Sequence, residues 1–153
     1  MATIHFTTQT TVTPEQFTAA VTDFGPGRSQ IFGNTDDGQL KVHDRGPDWA
    51  DVTEGKGPAW ERLRYDWSDP NRLRMTTTDS NTWGGASSHT YTFDRRADGT
   101  TGIDVVVVRD GKNLKGRVIG VMLGLIGKRF FSGQFEKTVQ AVEARTAATA
   151  SPA

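Results

Sequence analysis

The chain has 153 residues, with 18 basic and 18 acidic side chains, no net charge and no cysteine. That length suits one domain with its own core and excludes two full-sized ones. Balanced charge gives no long-range field toward nucleic acid or an anionic membrane, though it leaves local patches open, and the missing thiols exclude disulfides, thiolate nucleophiles and cysteine-ligated zinc.

The opening residues, Met1-Ala2-Thr3-Ile4-His5-Phe6, lack the basic and apolar regions of a secretory signal. The longest apolar stretch, 118–127, falls short of the ~20 residues that span a bilayer, and Lys115, Arg117, Lys128 and Arg129 flank it. A cytoplasmic protein with no integral membrane association is expected.

Residues 3–12 alternate, with Ile4, Phe6 and Val12 on one face and His5, Thr7 and Gln9 on the other, which predicts a half-buried strand. Thr13-Pro14-Glu15-Gln16 then supplies a cap, a proline at the first helical position and an early acid. Phe17, Ala20, Val21 and Phe24 recur at helical spacing up to the stop at Gly25-Pro26-Gly27, and residues 28–33 suit one more turn. Strands are predicted over 40–45 and 49–54 as a hairpin, then over 60–68, 72–80, 87–95 and 101–109, each bounded by turn residues. From 112 to 145 the spacing is helical, with glycines at 116, 120, 124 and 127 that predict a kink or loose segment. The domain is read as 1–146, with a flexible tail over 147–153. Strand, helix, six strands, helix is an α+β order, with both helices on one side of an antiparallel sheet.

Turn lengths set the register. A three-residue loop at 69–71 pairs Trp67 with Leu73, Tyr65 with Met75 and Leu63 with Thr77. A three-residue loop at 83–85 pairs Met75 with Phe93, Thr77 with Tyr91 and Asp79 with His89. A similar loop at 97–99 sets Ile103, Val105 and Val107 beside Phe93, Tyr91 and His89. One face is then apolar with a polar minority of Thr77, Asp79, His89 and the tyrosine hydroxyls, which describes a small-molecule cavity and equally a plain helix-packing face. The other face holds Arg62, Arg64, Arg72 and Arg74, with Glu61 and Asp66 among them, as a solvated surface does.

Four stretches carry a likeness to a known family: Thr13-Pro14-Glu15-Gln16-Phe17, the run Trp60 to Pro70, Asp79-Ser80-Asn81-Thr82-Trp83, and Lys115 to Gly120. With the element order, they resemble the START-like (SRPBCC) superfamily in its polyketide cyclase/dehydrase and lipid-transport branch, over about residues 3–145. The resemblance implies a helix-grip fold: a curved seven-stranded antiparallel sheet wrapped around a long C-terminal helix, with a cavity between. It carries no universal catalytic residues.

The leading expectation is binding or carriage of a small hydrophobic ligand, a lipid, isoprenoid or polyketide-like molecule. Its wall would be Tyr65, Trp67, Met75, Thr77 and Phe93 from the sheet, with Met122, Leu125 and Phe130 from the helix. The rival is a polyketide cyclase or dehydratase in which Asp79 orients His89 for acid–base work and Tyr91 donates a hydrogen bond. A ligand-free protein-interaction module is the third reading. The three histidines have no ligand spacing, so no metal is expected, and no cofactor motif or Gly-x-Ser-x-Gly elbow occurs.

Overall fold

The structure is a computed structural model that describes residues 1–150, the last by its backbone alone. In chain order it contains β1 (Ala2–Thr10), α1 (Pro14–Val21), two short turns of 3-10 helix (Arg28–Gln30 and Asp37–Gln39), β2 (Lys41–Arg45), β3 (Trp49–Lys56), β4 (Ala59–Asp66), β5 (Arg72–Ser80), β6 (Ser88–Arg95), β7 (Thr101–Arg109) and α2 (Leu114–Ala150). The strands form one seven-stranded antiparallel sheet in the order β1-β7-β6-β5-β4-β3-β2.

Alternation decides which face is dry. Ile4, Phe6, Leu63, Tyr65, Leu73, Met75, Tyr91, Phe93, Ile103, Val105 and Val107 are all buried. Against them lie Phe17 and Val21 of α1 and Phe135, Val139 and Val142 of α2. Thr13 caps α1 through a reciprocal capping box with Gln16. Phe17 then makes edge contacts with Phe93 at 5.7 Å and Tyr91 at 6.3 Å.

Two registers match the expectation. β4 and β5 pair Tyr65 with Met75 and Leu63 with Thr77, and β6 and β7 pair Tyr91 with Val105 and His89 with Val107. Between β5 and β6 the outcome differs: Met75 faces His89 and Leu73 faces Tyr91. Residues 81–87 are a longer loop than the three-residue turn expected. Ser80 Oγ accepts from the Thr82 and Trp83 amides, Trp83 bridges to Gly111, and the Gly84 amide donates to the Asp110 carbonyl at 2.7 Å. These bonds tie the loop to the end of β7 and take β5 and β6 out of the expected alignment.

A bulge completes the change. Arg62 pairs with Asp79 but Leu63 with Thr77, which leaves Thr78 extra. Beyond the bulge the faces exchange, so Ser80 is buried and Asp79 is exposed. The expected pairing of Asp79 with His89 therefore does not form. Trp67 lies past the end of β4, half-buried, with its amide on the Asp48 carbonyl rather than opposite Leu73.

The terminal helix is unbroken for 37 residues, without the expected kink. Two of its glycines serve close packing: a Cβ on Gly116 would sit 2.3 Å from the Thr82 carbonyl oxygen, and one on Gly127 would sit 3.1 Å from Ile4 Cγ1, whereas Gly124 and Gly133 are exposed with nothing within 4 Å. With glycines facing the sheet, Met122, Leu125 and Phe130 face outward, 55%, 82% and 49% exposed, and do not form the expected cavity wall. The helix continues through Ala150, past the expected boundary at 146, and residues 151–153 lie outside the described residues.

Candidate functional site

Toward one end of the sheet the inward positions turn from apolar to polar. Alternation along β3 carries Ala50 and Val52 into Glu54, and along β7 it carries Val105 and Val107 into Arg109. On β4, Glu61 shares the parity of Leu63 and Tyr65. These charged groups face the interior, and Glu61 does not belong to the arginine-rich outer face where the sequence reading put it.

They form two clusters. In the first, Arg28 donates from Nε to Glu54, from Nη2 to the Tyr65 hydroxyl at 2.9 Å, and from Nη1 to the carbonyls of Val21 at 2.6 Å and Asp23 at 2.9 Å. Tyr65 donates its own proton to Glu54. The guanidinium stacks 4.5 Å from the Phe24 ring and 4.9 Å from Phe32. Burial pulls the Arg28 pKa down, but Tyr65 and Glu54 outweigh it and the net shift is upward. Burial, reinforced by Glu54, raises the Tyr65 phenol well above its usual range. Every group here is satisfied, so the cluster fastens the segment after α1 to the sheet.

The second cluster is built on Arg109. Its Nη1 donates to Glu61 at 2.8 Å, and Thr77 donates its hydroxyl to the same carboxylate. The Arg109 Nη2 lies 2.6 Å from His89 Nε2. A guanidinium cannot accept a hydrogen bond, so His89 accepts at Nε2 and its proton resides on Nδ1. Burial first, and the Arg109 charge second, hold the His89 pKa well below 6.5. His89 is a neutral imidazole fixed in one tautomer by a cation, not by a carboxylate. Asp79 is elsewhere, on the outer face, bonded to Lys112 at 3.0 Å, with Lys112 and the Ser80 amide lowering its pKa.

Two adjoining cavities open beside these clusters. The first, of about 250 Å³, is lined by Tyr65, Met75, Glu61 and Arg109, with Trp60, Trp83 and Thr35 at its edge. The second, of about 390 Å³, lies between the sheet and α2, against Phe6, Val105, Val107, Phe131 and Phe135. Phe32, Asn34, His89 and Tyr91 line both.

Two hydroxyls beside these cavities are unused. Thr35 Oγ1 is buried with no hydrogen-bond partner among the described residues. Tyr91 is 4% exposed and its hydroxyl forms no hydrogen bond to another described side chain or backbone group. Burial raises the Tyr91 pKa, so the phenol keeps its proton and is a donor.

Of the side chains expected at a site, Tyr65, Met75, His89 and Tyr91 are brought together around the cavities. Thr77 stands behind them on Glu61. Phe93 packs on Phe17 and borders neither cavity, as do Trp67, Met122, Leu125 and Phe130. Missed by the sequence reading were Arg28, Glu54, Glu61, Arg109 and Phe131. Strand parity signals Glu54, Glu61 and Arg109, whereas the loop residue Arg28 carries no such signal. Among the described residues no three His, Asp or Glu side chains cluster as metal ligands do.

No family model matches the chain, and no curated protein sequence does. Solved structures do. A Thermus thermophilus protein superposes with a TM-score of 0.72 at 14% identity, over 97% of this chain and 99% of that one. A START superfamily protein from Mycobacterium smegmatis gives 0.68 at 13% identity, over 95% and 97%. The aromatase/cyclase Zhui from a Streptomyces species gives 0.71 at 14% identity, over 98% of each chain. The protein thus has the START-like helix-grip fold, as the sequence resemblance implied. At these identities the likeness is one of fold.

Proposed function

We propose that the protein binds a small hydrophobic molecule bearing an oxygen acceptor, held across the two adjoining cavities on the inner face of the sheet, the second of which is closed by α2. The observation that carries this reading is a pair of hydroxyls without a hydrogen-bond partner among the described residues: Thr35, which lines the first cavity, and Tyr91, which lines both. Thr35 Oγ1 is buried, and a buried polar group without a partner costs about 1–3 kcal/mol, a cost that a ligand carbonyl or hydroxyl would remove; the Tyr91 hydroxyl is a free donor beside it. The combined space is in the range of small-molecule sites. Lipids, isoprenoids and polyketide-like aromatics all fit the description.

Trp60 and Trp83 line the first cavity, so intrinsic fluorescence can follow binding. Titration with fatty acids, prenyl alcohols and aromatic ketones should give saturable quenching by at least one class. No response from any of them, in protein stripped of solvent-extractable material, would overturn the reading.

A cyclase or dehydratase is the second reading. It draws support from the neutral His89 held in the cavity wall by Arg109, and from an aromatase/cyclase among the proteins of like fold. Asp79 has no part in it. With its proton on Nδ1 and its Nε2 occupied by Arg109, His89 would donate from Nδ1, as Tyr91 would from its hydroxyl, to a substrate carbonyl and the enolate oxygen that develops from it. Turnover of a ketone-bearing substrate that is lost in His89→Gln, with binding retained, would select this reading over simple carriage.

A further inference from the structure

The N-terminal half of α2 is reversed relative to an ordinary core helix. At 3.6 residues per turn, Gly116, Gly120 and Gly127 lie on one side and are buried, while Leu114, Val118, Val121, Met122 and Leu125 lie on the other and are exposed. Ile126 and Phe130 widen the exposed apolar surface, at 60% and 49%. Contiguous apolar surface of this kind marks an interaction site.

The charges beside it point to the occupant. From residue 112 to residue 135 the chain has five basic side chains and no acid. Lys112 is bonded to Asp79, but Lys115, Arg117, Lys128 and Arg129 make no ion pair among the described residues. The chain is neutral overall, so this is a local excess of positive charge around an apolar stripe, and the helix N-terminus adds to it. A groove of about 790 Å³ between β1 and this helix runs past Ile4, Leu125, Ile126, Lys128 and Arg129. A second copy of the chain is a poor match: two-fold pairing of this face would set four uncompensated cations against four more. No helix among the described residues is long and apolar enough to cross a membrane. A helix with an apolar face edged by Lys and Arg lies in the interface plane instead.

We propose that the face of α2 from Leu114 to Phe130 docks peripherally on an anionic membrane. Val118, Val121, Met122 and Leu125 enter the acyl boundary, and Lys115, Arg117, Lys128 and Arg129 meet lipid phosphates. Total charge gives no long-range attraction, but within a Debye length the local patch governs. The proposal is independent of what fills the cavity.

The test is co-sedimentation of the full chain with phosphatidylcholine vesicles, with and without phosphatidylglycerol. Binding to the mixed vesicles, weakened by salt and absent for phosphatidylcholine alone, is the expected result. Lys128→Gln with Arg129→Gln should weaken it about thirty-fold, from about 1 kcal/mol per basic side chain. Leu125→Asp should weaken it at least about ten-fold, and since Leu125 is 82% exposed its thermal melt should be unchanged. Equal binding to both vesicle types, or binding indifferent to Leu125→Asp, would overturn the proposal. So would a dimer in sedimentation equilibrium that Leu125→Asp dissolves, with no vesicle binding, because the face would then join two copies of the chain.

Discussion

Alanine for glycine inside a helix ordinarily stabilises by about 1 kcal/mol, through helix propensity and loss of unfolded-state freedom. In α2 the sign should depend on which way the glycine faces. A Cβ at Gly133 meets nothing within 4 Å, so Gly133→Ala should stabilise by about 0.5–1 kcal/mol. A Cβ at Gly116 would sit 2.3 Å from the Thr82 carbonyl oxygen and 3.2 Å from Gly111 Cα, both backbone atoms that cannot rotate away. Overpacking of that kind costs about 1–3 kcal/mol. The helix must then rise off the sheet edge, so Gly116→Ala should be less stable than Gly133→Ala by that overpacking cost, about 1–3 kcal/mol. Urea unfolding followed by circular dichroism measures the difference. If Gly116→Ala is as stable as Gly133→Ala, the helix does not approach the 81–87 loop as described, and the outward placement of Met122 and Leu125 loses its cause.

Three further outcomes are expected. Glu54→Gln should destabilise by about 3–5 kcal/mol, because Arg28, whose side chain is fully buried, loses its charged partner; a loss under 1 kcal/mol in chemical denaturation would mean that water reaches Arg28. Stability should fall with acid through His89: its folded pKa lies well below 6.5, so the unfolded chain takes up a proton first. That contribution is complete above about pH 6.5 and is lost below it, by at most about 1.4 kcal/mol per pH unit. His89→Gln should flatten this limb of a stability–pH curve, and an unchanged slope would refute a neutral, buried His89. Tyr91→Phe should weaken ligand binding about three- to ten-fold, the worth of one hydrogen bond, without loss of stability, because that hydroxyl has no partner to lose; fluorescence titration and a thermal melt check both halves.

The fold was legible where pattern and turn chemistry agree. The Thr13 cap, the alternation of β4, β6 and β7, and the short loops at 69–71 and 97–99 all follow from local residues. The β5–β6 register was not, because the bonds that shape residues 81–87 come from Asp110 and Gly111, just beyond the end of β7. That moved each partner by four residues, from Phe93 to His89 opposite Met75, and with the bulge at Thr78 it removed the Asp79–His89 pair. The spacing of the terminal helix is helical as expected, but its apolar stripe predicts Met122 and Leu125 inward, whereas Gly116, Gly120 and Gly127 occupy the buried side; the glycine face over 116–124 reads as close packing on the sheet, and only its Gly124 departs from that, being exposed. The interior charges were legible by parity, since Glu61 stands two residues before Leu63 and Arg109 two after Val107. Charge by itself points to the outer face, and only strand parity overrides it.

Whether the cavity holds a small molecule is tested most directly by native mass spectrometry of the protein purified from its own host, followed by solvent extraction. The expected result is a stoichiometric adduct, released by solvent, that is largely apolar and carries a carbonyl or hydroxyl oxygen, and whose occupancy falls in Tyr91→Phe. A protein that flies empty, and stays empty after incubation with fatty acids, prenyl alcohols and aromatic ketones, would contradict the ligand-binding reading and leave the Thr35 and Tyr91 hydroxyls as unpaired groups of an ordinary core.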